Sequence, residues 1–491
     1  MTLLKDCLFF TYLAILVVLS LYGAHRYQLM YLYYRHRHND PKPAGRFTSL
    51  PRVTVQLPLF NEATVVERLL DSVAAIDYPK ELLEVQVLDD STDETQALAK
   101  ARVKEWRARG LDIVYLHRDQ RDGFKAGALK AGLERAKGEL ILIFDADFIP
   151  PRDVLTRTID FFTDEKIGMV QIRWAHLNRD YSLLTRLQSV LLDGHFVIEH
   201  TARHRSGRHF NFNGTCGVWR RAAIESSGGW QHDTLTEDLD LSYRAKIHGW
   251  SFVYLLDYAA PGELPVEMNA FKSQQHRWAK GSIQTARKVL PGVWRSLLPF
   301  KVKVEATFHL TANLAYPLLL VLLILLLPVL LIRLSEVDHA LRSLVFDLSI
   351  FVLATLSVCS FYLVALREVD RNWTRALKYL PAVLSLGTGL AINNSRAVIE
   401  ALVAHDTPFV RTPKYNVIDQ VARGPIHRYR STADWMPWTE VGFGLYLMVI
   451  LGVSLQHQLW LMSFFMTLFA CGFLYVGLSS LLQRRGHRRP E

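Results

Sequence analysis

Five apolar runs constrain this chain more than any other feature: residues 7–24, 312–332, 344–366, 441–455 and 459–482 each carry at most one charged side chain. Each approaches the ~20 residues that a helix needs to cross a hydrocarbon core. Buried helices of a soluble protein are the alternative, and the run at 312–332, almost solid leucine, argues against it. The first run reads as a retained span rather than a signal peptide, because Asp6 precedes it and no A-x-A-like site closes it. The net charge of +10 does not call for nucleic acid. Basic residues gather beside the runs, at Arg26, Arg35 and Arg37, at Arg367, Arg371, Arg375 and Lys378, and at Arg484, Arg485, Arg488 and Arg489. That is the positive-inside pattern. It places the N-terminus outside, residues 25–305 inside, the 333–343 loop outside and the C-terminus inside. The stretch 379–404 is moderately apolar but contains Pro381, Gly387, Gly389, Arg396 and Glu400 between basic flanks, and reads as an interfacial amphipathic helix. Cys7, Cys216, Cys359 and Cys471 are scattered, which fits neither a disulfide framework nor a zinc site.

Between the first two spans the text changes to that of a soluble α/β domain. Strands are expected at 53–57, 84–88, 113–116 and 140–144, with helices at 62–75, 93–107 and 126–136 between them. Successive βα units of this length require right-handed crossovers and a parallel sheet. The expected organisation is an N-terminal span (1–25), a basic linker (26–50), a catalytic domain (51–290), two spans within 306–366, the interfacial helix 379–404, a cytosolic loop 405–437, two spans within 438–482 and a basic tail 483–491.

Ligands bind such sheets beyond the carboxyl ends of the strands. Here those ends are acidic, Asp89-Asp90-Ser91 after the second strand and Asp145-Ala146-Asp147 after the fourth. Aspartate and serine also serve as turn residues and helix caps. Two carboxylate clusters at the ends of two strands of one sheet point further, to a divalent cation carrying a diphosphate. Mg2+ or Mn2+ takes oxygen ligands, typically one or two carboxylates plus substrate phosphates. The first strand-to-helix turn, Pro58-Leu59-Phe60-Asn61-Glu62, lacks a glycine-rich phosphate loop, which disfavours dinucleotide and P-loop chemistry.

Four spaced elements then carry a resemblance: Asp89-Asp90-Ser91, Asp145-Ala146-Asp147, Thr236-Glu237-Asp238 and Gln274-Gln275-His276-Arg277-Trp278. With them the chain resembles family 2 glycosyltransferases of the cellulose-synthase-like superfamily, most nearly the plant mannan and xyloglucan-backbone synthases and their bacterial relatives. The resemblance implies a glycosyltransferase-A-like fold with a Rossmann-type parallel-core sheet, attached to a transmembrane bundle of about five spans. It implies an inverting hexosyltransferase acting on a nucleotide sugar, UDP-glucose first and GDP-mannose second, with Mg2+ or Mn2+ as cofactor.

By the same resemblance Asp238 is the general base. Glu62, Asp89, Asp90, Lys125, Asp145 and Arg277 bind donor, Asp147 holds the metal, and Asn213, Gly214, Thr215, Glu237, Gln274 and Trp278 bind acceptor. The Asn-Gly-Thr form of that acceptor loop departs from the Phe-Cys-Gly-Ser of cellulose synthases proper and speaks against a strictly cellulose product. Thr236 is also expected to cap a helix over 237–248. The segment from Phe409 through Thr412 to Lys414 resembles the gating loop of processive synthases, which folds over the donor. Nine residues follow Leu482, so no attached cyclic-dinucleotide receptor is expected. The expected partners are the donor, a glycan or glycolipid acceptor, the bilayer and accessory export proteins. The membrane is the plasma (inner) membrane, or the Golgi in a eukaryote, with the catalytic domain cytosolic. A polymer synthase leads, ahead of a glycolipid-forming transferase and of a non-catalytic membrane scaffold.

Overall fold

The computed structural model describes residues 2–335, 340–370, 372–405, 412–419, 421–422 and 435–485. Its sheet is built from β1 (Val53–Leu59), β2 (Leu83–Asp89), β3 (Asp112–His117), β4 (Leu140–Ile143), β5 (Ile167–His176), β6 (Gly217–Arg220) and β7 (Ser251–Gly262). The strand order is β3-β2-β1-β4-β6-β5-β7. The first four strands are parallel, as the βα alternation requires, whereas β6 runs antiparallel to both β4 and β5, and β7 is parallel to β5. The sheet is therefore mixed, and its parallel half alone follows the Rossmann pattern.

Alternation along β1 explains how the sheet is covered. Val53, Val55, Leu57 and Leu59 enter one apolar core with Val85 and Val87 of β2. The intervening Thr54 and Gln56 face the other way and pair across the register with Glu84 and Gln86, at 2.6 and 3.1 Å. The threonine hydroxyl and one end of each amide thus find partners, while Gln56 Oε1 and Gln86 Nε2 make no hydrogen bond among the described residues. After β1 the chain winds to β2 and β3 on one side and returns to β4 on the other, so a topological switch point opens between β1 and β4.

The first helix runs unbroken over Thr2–His36, 35 residues or about 52 Å, so the first eleven residues of the expected 26–50 linker continue the helix instead. Among the described residues four helical stretches are long and apolar enough to cross a membrane: Leu3–His36, Phe300–Leu334, Met436–Gln456 and Trp460–Gln483. The run at 344–366 lies within the helix Ala340–Val369, much of whose side-chain detail falls outside the described residues. The chain is a multi-pass membrane protein.

The expected single helix at 379–404 is two helices, Leu380–Gly389 and Ala391–Leu402. At 10 and 12 residues, about 15 and 18 Å, neither alone crosses a hydrocarbon core of about 30 Å. Leu380–Gly389 packs on the last helix through Gly389 and Gly472, where a Cβ on either glycine would collide with the facing backbone. Ala391–Leu402 packs on Ala315–Leu334 and on the helix Met268–Arg295. The latter carries the Gln-x-x-Arg-Trp element, and its Lys272 forms a buried ion pair with Glu440 at 2.6 Å.

Candidate active site

The carboxyl ends of β1, β2 and β4 open into one cavity, closed from the other side by the helices Glu237–Ile247 and Met268–Arg295. Glu62, Asp90, Lys125, Asp145, Asp147, Asn213, Gly214, Glu237, Asp238, Gln274, Arg277, Trp278, Thr412 and Lys414 all line it. Gln274, Arg277 and Trp278 reach it together because spacings of three and four place them on one face of their helix.

Asp238 lies in the first turn of Glu237–Ile247, where Leu239 N–H donates to its Oδ1 at 2.8 Å. Burial, followed by the repulsion of the adjacent Glu237 carboxylate, pushes its pKa up to about 7. Glu237 is raised too, chiefly by burial. Thr236 precedes this helix without a side-chain cap; its hydroxyl is instead 3.2 Å from that of Thr285. Opposite Asp238 stands Gly214, at φ 79°, a conformation that glycine adopts without a Cβ penalty. A Cβ there would stand 3.2 Å from Asp238 Oδ2 and 3.3 Å from Lys125 Nζ, so the position also keeps the Asp238 carboxylate uncrowded.

Lys125 donates to Asp145 Oδ1 at 2.5 Å and to Gly214 O at 2.9 Å, tying the Asp-Ala-Asp turn to the Asn-Gly-Thr loop. Burial alone would lower its pKa, but Asp145 and Glu237 reverse that and raise it. Thr215 does not line the cavity. It is fully buried, and its Oγ1 accepts from Asp145 N–H at 2.9 Å, which fixes the Asp-Ala-Asp backbone from below. Asn213 lines the cavity with its amide already engaged. Its Oδ1 accepts from His200 Nε2 at 2.7 Å, its Nδ2 donates to His195 Nε2 at 3.1 Å, and His195 Nδ1 donates to Glu199 at 3.0 Å. These histidines belong to a π-helical turn, Gly194–His200.

The two aspartates after β2 separate. Asp89 is sealed from the cavity, accepting from Tyr115 Oη at 2.5 Å and from Ser91 N–H at 3.0 Å. Asp90 faces it, held bidentate by Arg118 at 2.8 and 2.5 Å. Arg121 lies over the Phe60 ring at 3.4 Å, and both line the cavity.

Of the gating-like segment, Phe409 lies outside the described residues, whereas Thr412 and Lys414 are inside the cavity. Both terminal nitrogens of Arg277 donate to Thr412 Oγ1, at 3.3 and 3.2 Å. Lys414 Nζ donates to Asp147 Oδ2 at 2.5 Å. The Asp147 carboxylate thus presents to a cation within the cavity. Among the described residues no group of three or more His, Cys, Asp or Glu side chains forms a metal cage. Two carboxylates with substrate phosphates are the usual Mg2+ arrangement, so Asp145 and Asp147 fit one.

Sequence reasoning missed Glu263, which is buried in the cavity wall and accepts from Tyr415 N–H at 2.8 Å. Its position at the carboxyl end of β7 was the available signal. It also missed Gln171, whose amide nitrogen reaches Thr215 O and Cys216 O at 3.0 Å and whose oxygen accepts from Asn213 N–H at 3.2 Å. A glutamine inside a strand gives no such signal.

Residues 51–281 match the family model described as glycosyltransferase like family 2. Glucomannan 4-beta-mannosyltransferase 1 of Oryza sativa subsp. japonica is 40% identical over 279 residues, 56% of this chain and 53% of that protein. Glucomannan 4-beta-mannosyltransferase 2 of Arabidopsis thaliana is 42% identical over 254 residues, 51% of this chain and 48% of that protein. The chain spans about half the length of these relatives. The structure of a mannosyltransferase from Pyrobaculum calidifontis in complex with GDP-Man and Mn2+ superposes with a TM-score of 0.55, covering 80% of this chain and 99% of that chain at 21% identity. That likeness is one of fold.

Proposed function

We propose, from the premise that residues 51–281 form a glycosyltransferase domain of family 2, that this chain transfers mannosyl residues from GDP-mannose to the 4-hydroxyl of a growing β-mannan or glucomannan. The convergence of Asp238, Asp145, Asp147 and Arg277 on one cavity carries the reading. The choice of sugar rests on the two 4-beta-mannosyltransferase relatives, and it moves the donor from the UDP-glucose that the sequence put first to GDP-mannose.

Asp238 takes the proton of the acceptor hydroxyl as that oxygen forms its bond to the anomeric carbon. The bond from that carbon to the diphosphate oxygen breaks on the opposite face, the nucleoside diphosphate leaves with the electron pair, and the configuration inverts. A base whose pKa lies near the working pH suits this step. Asp145 and Asp147 would hold the divalent cation, which when bound neutralises charge on the leaving diphosphate. Arg277 supplies a guanidinium fork for phosphate oxygens. Trp278 offers an apolar face to the terminal acceptor sugar. Asp90 reaches the nucleoside, with Asp89 holding the turn beneath it. The catalytic domain faces the cytosol.

Purified protein in detergent, given labelled GDP-mannose or UDP-glucose with Mn2+, should form 4-linked β-mannosyl product from GDP-mannose, read by linkage analysis. Incorporation from UDP-glucose alone would overturn the donor assignment. Label recovered only in a lipid extract would replace the polysaccharide acceptor by a glycolipid.

A further inference from the structure

The segment 412–419 is seated across the strand ends by contacts from several separate elements. Besides the Arg277–Thr412 bonds, Thr64 Oγ1 donates to Lys414 O at 2.8 Å, Tyr415 N–H donates to Glu263 Oε1 at 2.8 Å, and Arg68 donates to Asn416 Oδ1 at 2.5 Å. Asp419 N–H donates to Leu177 O at 2.9 Å, and the side chains of Tyr415 and Val417 are buried. Together these place the Lys414 ammonium, 9% exposed, at 2.5 Å from Asp147 Oδ2 and 3.3 Å from Glu263 O. With the segment in place the cavity measures about 250 Å³.

An ammonium and a divalent ion cannot both sit at full strength on one carboxylate, because a Mg2+-like ion approaches its oxygen to about 2.0–2.1 Å and repels the neighbouring cation. Once a diphosphate is present, however, the same lysine gains a more strongly charged acceptor beside the metal. We propose that Lys414 is a built-in counter-cation that holds the cation's place at Asp147 while donor is absent and passes to the diphosphate when metal and donor arrive. The exchange rests on the metal-dependent donor reading above and deepens it. Lys414 therefore opposes the metal in the free protein and supports it in the nucleotide complex. Its effect on metal affinity changes sign between the two.

Mn2+ binding to the purified full chain, followed by the electron paramagnetic resonance of free Mn2+ with and without GDP, tests this. Without GDP, Lys414→Met should bind Mn2+ about tenfold more tightly than the unaltered chain; with saturating GDP it should bind several-fold more weakly. General loss of positive charge would tighten binding in both conditions, and that pattern overturns the exchange. Thr64→Val removes the hydrogen bond to the Lys414 carbonyl and no charge. It should tighten Mn2+ binding without GDP by a few fold, and an unchanged affinity would show that the lysine is not seated as described. Intact Mn2+–GDP binding with identical affinities for all three proteins in the absence of GDP sinks the exchange alone. Absence of Mn2+ binding even with GDP sinks the metal-dependent donor reading and the exchange with it.

Discussion

Asp238 is a carboxylate whose surroundings keep it protonated into the neutral range. With its pKa pushed up to about 7 by burial and by Glu237, its ionised form, the one able to accept a proton, predominates only above that value. Transfer should accordingly fall about tenfold per pH unit below about 7 and level off above it, where an ordinary carboxylate would stay ionised to about pH 4–5. Glu237→Gln should shift this acid limb to lower pH, since the like charge that opposes ionisation is gone. Asp238→Asn should lower kcat by roughly 10²–10⁴-fold while leaving Mn2+ and GDP binding intact. Asp147→Ala should show the reverse emphasis, with metal-dependent nucleotide binding lost first. A pH–rate profile and a nucleotide titration with and without Mn2+ separate these outcomes, and near-normal turnover of Asp238→Asn would remove the base from the mechanism. Much of this site was legible because its carboxylates end apolar strands, a pattern that periodicity reveals. What was illegible is the division of labour within each motif. Asp89 and Asp90 are identical neighbours in the text, yet strand alternation turns one toward Tyr115 and the other toward Arg118 and the cavity. Thr215 and Asn213 likewise spend their side chains on the structure behind the loop.

At the scale of elements, the helix Met268–Arg295 joins the soluble domain to the bundle. One face carries Gln274, Arg277 and Trp278 to the cavity, while Lys272 turns away to Glu440 at 2.6 Å, with both side chains almost fully buried. Removing one partner of such a pair typically costs about 3–5 kcal/mol, because the other charge is left buried and uncompensated, whereas replacing both by apolar residues is often neutral. Glu440→Ala should therefore lower the thermal midpoint in detergent strongly, and Lys272→Met combined with Glu440→Leu should recover most of it. Equal destabilisation by the single and double variants would show that packing, rather than charge, holds the helix. The break at Gly389–Leu390 escaped the sequence reading for a related reason. Hydropathy averages over 379–404, but close contact with Gly472 of the last helix is a tertiary demand that no local pattern reports.

For the whole molecule the contacts fix a parity. Asn416 is hydrogen-bonded to Arg68 of the catalytic domain, so the chain must cross the membrane an even number of times between the helix Met268–Arg295 and residue 416. Phe300–Leu334 is one candidate crossing, so the parity asks for one more; the 30-residue helix Ala340–Val369 is long enough to supply it, whereas neither short helix of 380–402 is by itself. At the far end Asn269 N–H donates to Gln483 Oε1, returning the end of the last helix to the catalytic side. A cysteine at Asn416 in sealed vesicles, with Cys7, Cys359 and Cys471 replaced, should resist an impermeant thiol reagent added outside. One at His339, which lies outside the described residues, should react by the charge pattern. Labelling of the Asn416 variant from outside would overturn the parity. The same clasp between the two ends of the bundle sets a timetable for synthesis. Asn269 and Ser480 are 211 residues apart, so roughly 10–40 s of translation at 5–20 residues per second separates the helix that carries Arg277 and Trp278 from the partner that anchors it. Throughout that interval Asn269 lacks its bonds to Ser480 O and Gln483 Oε1, so the helix Met268–Arg295 gains its last tertiary partner only when the final helix is in place.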